Sequence, residues 1–209
     1  RLINRVVVLN VTTGPGGINA LNGVYGAFTD SLSMLVVSGQ VKNETYHKNY
    51  KTSLRQLGDQ EVDIVSMAKP ITKFAVTLKD PREIKEIMDK AIYLLTNGRP
   101  GPVWIDVPID VQGALIDPNK LKGFDGDIKK LVNDPGVTNN TKLELSTKSN
   151  LNDKTLDIIF EKLKKSRRPV ILAGTGVSIS KMSKQFLKLI KKLKIPTVTG
   201  WNAHDLISN

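Results

Sequence analysis

The sequence has no cysteine in 209 residues. Disulfides, zinc–thiolate centres, iron–sulfur clusters and thiol nucleophiles are therefore excluded together. Histidine is nearly absent too: His47 and His204 are the only two, too few for a histidine-rich metal site. Aromatic residues make up 5% of the chain. No apolar run approaches the roughly 20 residues of a membrane span, and no signal-peptide pattern opens the chain, so a cytoplasmic protein with no membrane partner is expected. What is present, 40% hydrophobic and 24% charged residues, is the makeup of a globular protein with one large domain or two small ones.

Charge of the acidic sign is scarce, and the formal net charge is +11. The excess is uneven: residues 1–116 contribute +2 and residues 117–209 contribute +9. Sixteen of the 18 cations in the second stretch are lysines, spread singly or in pairs over predicted helix faces. Arginine clusters interleaved with aromatics, which grip phosphates and stack bases, are missing. A solvated lysine face is expected rather than a nucleic-acid partner.

The hydrophobic pattern alternates strand and helix. Val6–Val11 is a continuous β-branched run that reads as a strand buried on both faces of a parallel sheet. A domain seldom opens on a central strand, so chain preceding Arg1 is expected. Gly14-Pro15-Gly16-Gly17 forces a turn into a helix over 18–29, followed by a short strand over 33–38. Residues 40–61 are polar and long enough for a functional loop or lid. Asp80-Pro81-Arg82-Glu83 has the composition of a helix start with a capping box; Ile84, Ile87, Met88, Ala91 and Leu94 or Leu95 then recur at helical spacing until Asn97-Gly98. Pro102–Val107 is the next strand. From 108 to about 150 the pattern dissolves into a linker or a surface-hugging connection. A helix, a strand over 168–173, the Gly174-Thr175-Gly176 turn, a second helix and a strand from Pro196 follow. The order predicts α/β architecture.

Three motifs carry candidate chemistry. Thr12–Asn19 lies between a strand and a helix, where glycines let backbone approach a ligand and helix N–H groups are unpaired; a plain tight turn has the same composition. Gly174-Thr175-Gly176 reads either as a nucleotide turn or as a crowded strand-to-helix corner. Gln56–Glu61 with Asp63 brings carboxylates together, but no acid/base assignment follows without an environment that raises one pKa.

In combination these segments are more specific. Gly14–Asn19, Asp30–Gln40, Gln60–Val65, Lys69–Lys73 and Gly98–Pro108 occur in an order that closely resembles the thiamine-diphosphate-dependent enzymes of the acetolactate synthase (acetohydroxyacid synthase) type. Arg168–Gly176 and Ile195–Thr199 resemble the start of that family's central domain. The resemblance implies parallel-sheet α/β/α sandwich domains: a thiamine-diphosphate-binding fold in residues 1–115 lacking its first part, a linker over 116–150, and the first part of a Rossmann-like central domain over 151–209. It implies a homodimer or homotetramer, with the active site between the pyrimidine-binding domain of one subunit and the diphosphate-binding domain of its partner.

The same resemblance assigns residues. Pro15, Gly16 and Asn19 match positions at the aminopyrimidine pocket, and Gln60 matches the glutamine facing cofactor and substrate. Arg99 and Gly174 match positions that contact FAD in flavin-binding members. The family's catalytic Glu, which protonates the aminopyrimidine and helps generate the ylid, has no counterpart in this chain, and the Mg²⁺ ligands belong to a domain outside it. The implied activity is decarboxylation of a 2-oxo acid such as pyruvate with transfer of the two-carbon unit to an acceptor; this chain alone is expected to be inactive. Pro108-Ile109-Asp110 in place of Pro-Lys-Asp, Asp59 in place of Phe, and Gly200–Asp205 in place of the Leu-Met-Gly flavin segment leave FAD and the acceptor open, a sugar included. A non-catalytic or regulatory homologue and a basic nucleic-acid-binding protein are the alternatives.

Overall fold

A computed structural model describes residues 5–51, 53–146 and 152–207. Its contacts divide the chain into a first unit, Arg1–Lys148, and a second, Ser149–Asn209. The first unit runs β1 (Val7–Val11), α1 (Pro15–Thr29), β2 (Met34–Gln40), α2 (Ile64–Ala68), β3 (Phe74–Thr77), α3 (Ile84–Thr96), β4 (Val103–Pro108), α4 (Ile109–Gln112), α5 (Ile128–Asn133) and α6 (Asn139–Ser146).

The four strands form one sheet in the order β1-β2-β4-β3, and every pairing is parallel. Register sets two rows of side chains across it. Leu9, Val36, Trp104 and Ala75 stand opposite one another in turn, and Val8, Leu35, Val103 and Phe74 form the adjacent row. Because successive residues of a strand point to opposite faces, each row feeds a separate core. Val36, Trp104 and Ala75 pack with Val24 of α1 and Ile64, Val65 and Ala68 of α2. Leu35, Val103 and Phe74 pack with Ile87, Ala91, Leu94 and Leu95 of α3 and Leu131 of α5. Helices on both faces make this unit the expected α/β/α sandwich.

β1 departs from its expected burial. It is the outer strand of the sheet, and Val6, Val7 and Val8 are 44%, 41% and 63% exposed. A β-branched run reports that a strand can be buried, not that neighbours are there. Among the described residues only β2 pairs with it.

The start of α3 also differs in detail. Asp80 accepts from Arg82 N as expected of a cap, but Pro81–Glu83 is a 3₁₀ turn and Glu83 makes no capping-box bond. The Arg82 guanidinium holds Asp80 through its Nε and Nη2 instead, which brings that exposed carboxyl down to about 2.

Residues 116–146, expected as most of a linker or as a surface-hugging connection, pack onto the sheet within the first unit; 147–150 lie outside the described residues. Leu131 is fully buried and Val137 nearly so. Val137 forms an antiparallel bridge with Phe74, and Ala75 N donates to Gly136 O at 3.0 Å. The segment thus covers the free edge of β3, a usual way to blunt an edge strand. Phe124, Ile128 and Leu145 pack against the same cluster, anchors that the polar residues around them obscure.

The second unit holds a parallel pair, β5 (Ile171–Ala173) and β6 (Thr197–Thr199), with α7 (Asp153–Lys165), α8 (Gly176–Ile179) and α9 (Ser183–Leu193). Its elements fall where expected, but the apolar faces are only partly covered: Ile159, Phe160 and Leu189 are 52%, 56% and 50% exposed. Among its described residues, Ala173, Ala203 and Leu206 are the buried apolar ones. Across the described residues of both units, no helix is long and apolar enough to cross a membrane.

The docked segment is tested by Leu131→Ala. Removing this fully buried side chain should cost about 2–5 kcal/mol in chemical denaturation of the intact protein, whereas a residue of a free linker would change stability by no more than about 0.5 kcal/mol.

Candidate functional site

The β1–α1 turn lies at the carboxyl edge of the sheet, where open parallel α/β sheets bind their ligands. Gly14 has φ +57°, a conformation open to glycine at little cost, and Pro15 occupies the first turn of α1. A Cβ on Gly14 would collide with the backbone carbonyl of Gln60. The fold therefore brings the two predicted segments together: the turn carrying Pro15 and the loop carrying Gln60 touch through their backbones. Pro15, Ile18 and Asn19 share one exposed face of the first helical turns, and Gln60 is exposed beside Gly14.

Gly16 has a different environment from the one expected. A Cβ there would lie 2.8 Å from Thr12 Cγ2, so the space its missing side chain leaves is taken by Thr12. A Cβ on Gly17 would stand 3.0 Å from Ile64 Cγ1, so this glycine lets α1 settle onto α2.

Gln60 is itself held in the left-handed region, at φ +57°. The neighbouring Glu61 anchors its loop. The Glu61 side chain is buried and accepts from Leu57 N at 2.9 Å, Gly58 N at 2.6 Å, His47 N at 3.1 Å and the His47 ring. Burial works to raise its pKa, but bonds from the His47 ring and from the Gly58, Leu57 and His47 amides outweigh it and hold the carboxyl below its ordinary value. Asp63 caps α2 at Ser66 N and pairs with Lys48; burial again pushes upward, and the Lys48 and Ser66 bonds bring it below the carboxylate range. Glu61 and Asp63 are thus kept ionised as loop anchors, and neither is poised as a general acid. The polar stretch over 40–61 is built around Glu61.

Sequence reading missed a buried polar network behind the cleft. Asp106 on β4 is completely buried and accepts from Ser38 Oγ at 2.5 Å, Gln40 Nε2 at 3.1 Å and Thr77 Oγ1 at 3.5 Å. Trp104 Nε1 donates to Ser38 Oγ at 2.8 Å. Burial pushes the Asp106 carboxyl up to about 6 against the lowering effect of the Ser38, Gln40 and Thr77 bonds. The available signal was the strand Val103-Trp104-Ile105-Asp106-Val107, in which one carboxylate interrupts a buried run. A cavity of about 690 Å³ opens in front, with Asn10, Thr12, Thr13, Gly39, Gln40 and Gln112 in its lining; Pro15, Asn19 and Gln60 stand outside that lining.

Arg99 lies elsewhere. It precedes β4 at the amino edge of the sheet, opposite the Gly14–Gln60 contact, where its Nε donates to Ser31 Oγ at 2.7 Å and its backbone N to Glu144 Oε1. Lys73, almost wholly buried, donates to Asn97 O and Arg99 O at 2.9 and 2.7 Å and lies 3.6 Å from Glu144. A cavity of about 640 Å³ adjoins, with Tyr25, Phe28 and Leu143 in its walls. Gly174 belongs to the second unit, exposed at the end of β5, with no atom within 4 Å of the position a Cβ would take. Among the described residues no group of three or more His, Cys, Asp or Glu side chains could hold a metal ion.

Two measurements test this arrangement. Gly14→Ala forces a side chain into the left-handed region and onto Gln60, and should cost about 1–3 kcal/mol in denaturant unfolding of the intact protein. For Asp106, a folded pKa of about 6 against an ordinary 3.8 means that the folded state binds the proton more tightly. Its contribution is fully present below pH 3.8 and lost as pH rises through 6. Stability should therefore fall by on the order of 3 kcal/mol between pH 4 and pH 7 from this group, and Asp106→Asn should abolish that slope.

Two family models match. Residues 1–67 match the thiamine pyrophosphate enzyme N-terminal TPP binding domain, and residues 156–209 match the thiamine pyrophosphate enzyme central domain. The chain is 31% identical over 206 residues to glyoxylate carboligase of Escherichia coli O157:H7, covering 94% of this chain and 30% of that protein. It is 33% identical over 195 residues to the acetolactate synthase large subunit of Lactococcus lactis, covering 93% and 30%. It is 36% identical over 191 residues to a probable acetolactate synthase large subunit of Methanocaldococcus jannaschii, covering 90% and 28%. The chain thus spans less than a third of the length of these relatives. Two successive domains of one family, in that family's order and on parallel α/β folds, place the chain in the thiamine pyrophosphate enzyme family.

Proposed function

We propose that the protein containing this chain is a thiamine-diphosphate-dependent carboligase or decarboxylase of the acetolactate synthase and glyoxylate carboligase type. It would release CO₂ from a 2-oxo acid and join the remaining acyl carbon to the carbonyl carbon of an acceptor. The observation that carries this reading is the apposition of Gln60 and Gly14 at the carboxyl edge of the sheet, in a region that matches the family's N-terminal TPP binding domain.

The residues present fit one part of the cofactor. Asn19 and Gln60 offer neutral amide donors and acceptors and Pro15 an apolar surface, the chemistry that suits the edge and face of a neutral heteroaromatic ring. They do not suit a diphosphate or Mg²⁺: the β1–α1 turn, residues 12–19, has no cation, and the spaces beside Gly14 and Gly16 are filled by Gln60 and Thr12. Pro15, Asn19 and Gln60 would therefore hold the aminopyrimidine ring, with diphosphate and Mg²⁺ held outside this chain. When bound, thiamine diphosphate supplies the electron sink that decarboxylation of a 2-oxo acid requires. The chain's part is to orient the ring and keep the wall of its pocket rigid, while Glu61 and Asp63, held ionised, fix the loop and do not deliver protons.

Oligomerisation belongs to the same proposal. Tyr25 and Ile18 are 57% and 43% exposed on one side of α1, and nothing lies within 4 Å of a Cβ placed at Gly26, on the same side of that helix. Such a face supports close approach of a second subunit, in a homodimer or homotetramer.

The test is titration of the full-length protein with thiamine diphosphate and Mg²⁺, followed by CO₂ release from pyruvate and from glyoxylate. Binding with release from either acid is expected. Absence of binding by the intact protein would overturn the reading, and Gln60→Ala should reduce kcat/KM by about tenfold or more.

A further inference from the structure

Gln40 ends β2 and is 3% exposed. Its side-chain amide has two donor hydrogens and two acceptor lone pairs, and the structure uses all four. Nε2 donates to Val62 O at 2.9 Å and to Asp106 Oδ2 at 3.1 Å. Oε1 accepts from Thr13 Oγ1 at 3.2 Å and from Val41 N at 3.0 Å. Thr13 precedes Gly14 and Pro15; Val62 follows Gln60 and Glu61. One buried amide thus touches both chain segments that meet at the candidate pocket.

Beneath it the bonding is directional. Trp104 Nε1 donates to Ser38 Oγ, Ser38 Oγ donates to Asp106 Oδ1, and Asp106 Oδ2 receives Gln40. A carbonyl on one side and a backbone N–H on the other allow the Gln40 amide a single orientation. Glutamate would lose both donors and face Asp106 with a second negative charge, asparagine would fall one methylene short, and methionine would fill the space with no bonds at all.

We propose that Gln40 is a positioning residue for the thiamine-binding pocket: its amide, braced by Asp106, ties Thr13 of the β1–α1 turn to Val62 of the Gln60 loop and so fixes the pocket's two walls relative to each other. This rests on the reading of the Pro15–Asn19 and Gln60 surface as the aminopyrimidine pocket. Gln40 acts through Thr13 and Val62 and contacts no substrate. The Gly14–Gln60 contact limits how closely the walls approach, and the Gln40 amide keeps them from separating.

The experiment uses the full-length protein as wild type, Gln40→Met and Thr13→Val. Amide hydrogen exchange over residues 12–19 and 60–64 is measured without cofactor, and thiamine diphosphate affinity by calorimetric titration with Mg²⁺. For Gln40→Met, exchange should accelerate in both segments while α3 keeps its protection, and affinity should fall roughly tenfold, as when a group supporting a ligand-binding residue is lost. Thr13→Val, which cuts one of the four bonds and keeps the volume, should loosen only the 12–19 segment and weaken binding about threefold. The proposal is overturned if Gln40→Met leaves both segments and the affinity unchanged. It is equally overturned if exchange rises as much in α3 as at the pocket while Thr13→Val changes nothing, since Gln40 would then serve folding alone. Wild-type protein that binds no thiamine diphosphate would count against the cofactor reading, and the exchange data would still decide whether Gln40 joins the two walls.

Discussion

The carbonyl of Gln60 occupies the space that a side chain at Gly14 would need, and the organisation of the pocket follows from that contact. Gly14 turns in the left-handed region to end the loop after β1, and Pro15 begins α1 directly behind it. Gln60, also left-handed, turns its own loop so that Glu61 points inward and Asp63 reaches the start of α2. Ile64 then meets the bare backbone of Gly17. Within a few residues on each side, a turn, a loop and two helices are set by backbone approaches that a Cβ would block. Gln60, a non-glycine residue in the left-handed region, has a conformational cost, and the donor-saturated carboxylate of Glu61 offsets it by holding the loop closed.

The two edges of the sheet divide the labour. At the carboxyl edge neutral amides and hydroxyls gather on the Asp106 carboxylate, beside a loop anchored on the buried Glu61 carboxylate. At the amino edge the buried charge is Lys73, which ties the Asn97–Arg99 turn to Glu144 of the docked α6. Burial lowers the Lys73 pKa, and the nearby Glu144 carboxylate opposes that. One edge is built to present a surface, the other to fasten a returning segment. Arg99 belongs to the second group in this structure, since its backbone N–H and carbonyl serve that fastening while its side chain holds Ser31.

Much of this architecture was legible because period and punctuation agree. Val103–Val107 is apolar but for Asp106, α3 repeats at helical spacing until Asn97-Gly98, and the Gly14–Gly17 run marks the turn. Pro15, Asn19 and Gln60 could be named from ordered motifs, and the fold brings the two segments that carry them into contact. Other features depend on contacts between residues far apart in sequence, to which local pattern is blind. Glu61 looked like one of several loop carboxylates until four donors from Leu57, Gly58 and His47 converged on it. Asp106 and Gln40 are 66 positions apart, and nothing near either shows the bond. Phe124, Ile128, Leu131 and Val137 are thinly spread among Gly, Asn, Asp and Lys, so the segment that covers β3 read as a linker or a surface-hugging connection. The exposed valines of β1 show the converse limit, because sequence reveals that a strand suits burial without revealing what lies beside it.

The central claim is that the β1–α1 turn and the Gln60 loop together form the wall against which the aminopyrimidine ring of thiamine diphosphate lies. A crystal structure of the full-length protein with thiamine diphosphate and Mg²⁺ bound tests it most directly. The expected result is a ring in van der Waals contact, within about 4 Å, of Pro15, Asn19 and Gln60, with Gly14 still seated under the Gln60 carbonyl. A cofactor bound at the Arg99 edge, or touching no residue of this chain, would contradict it.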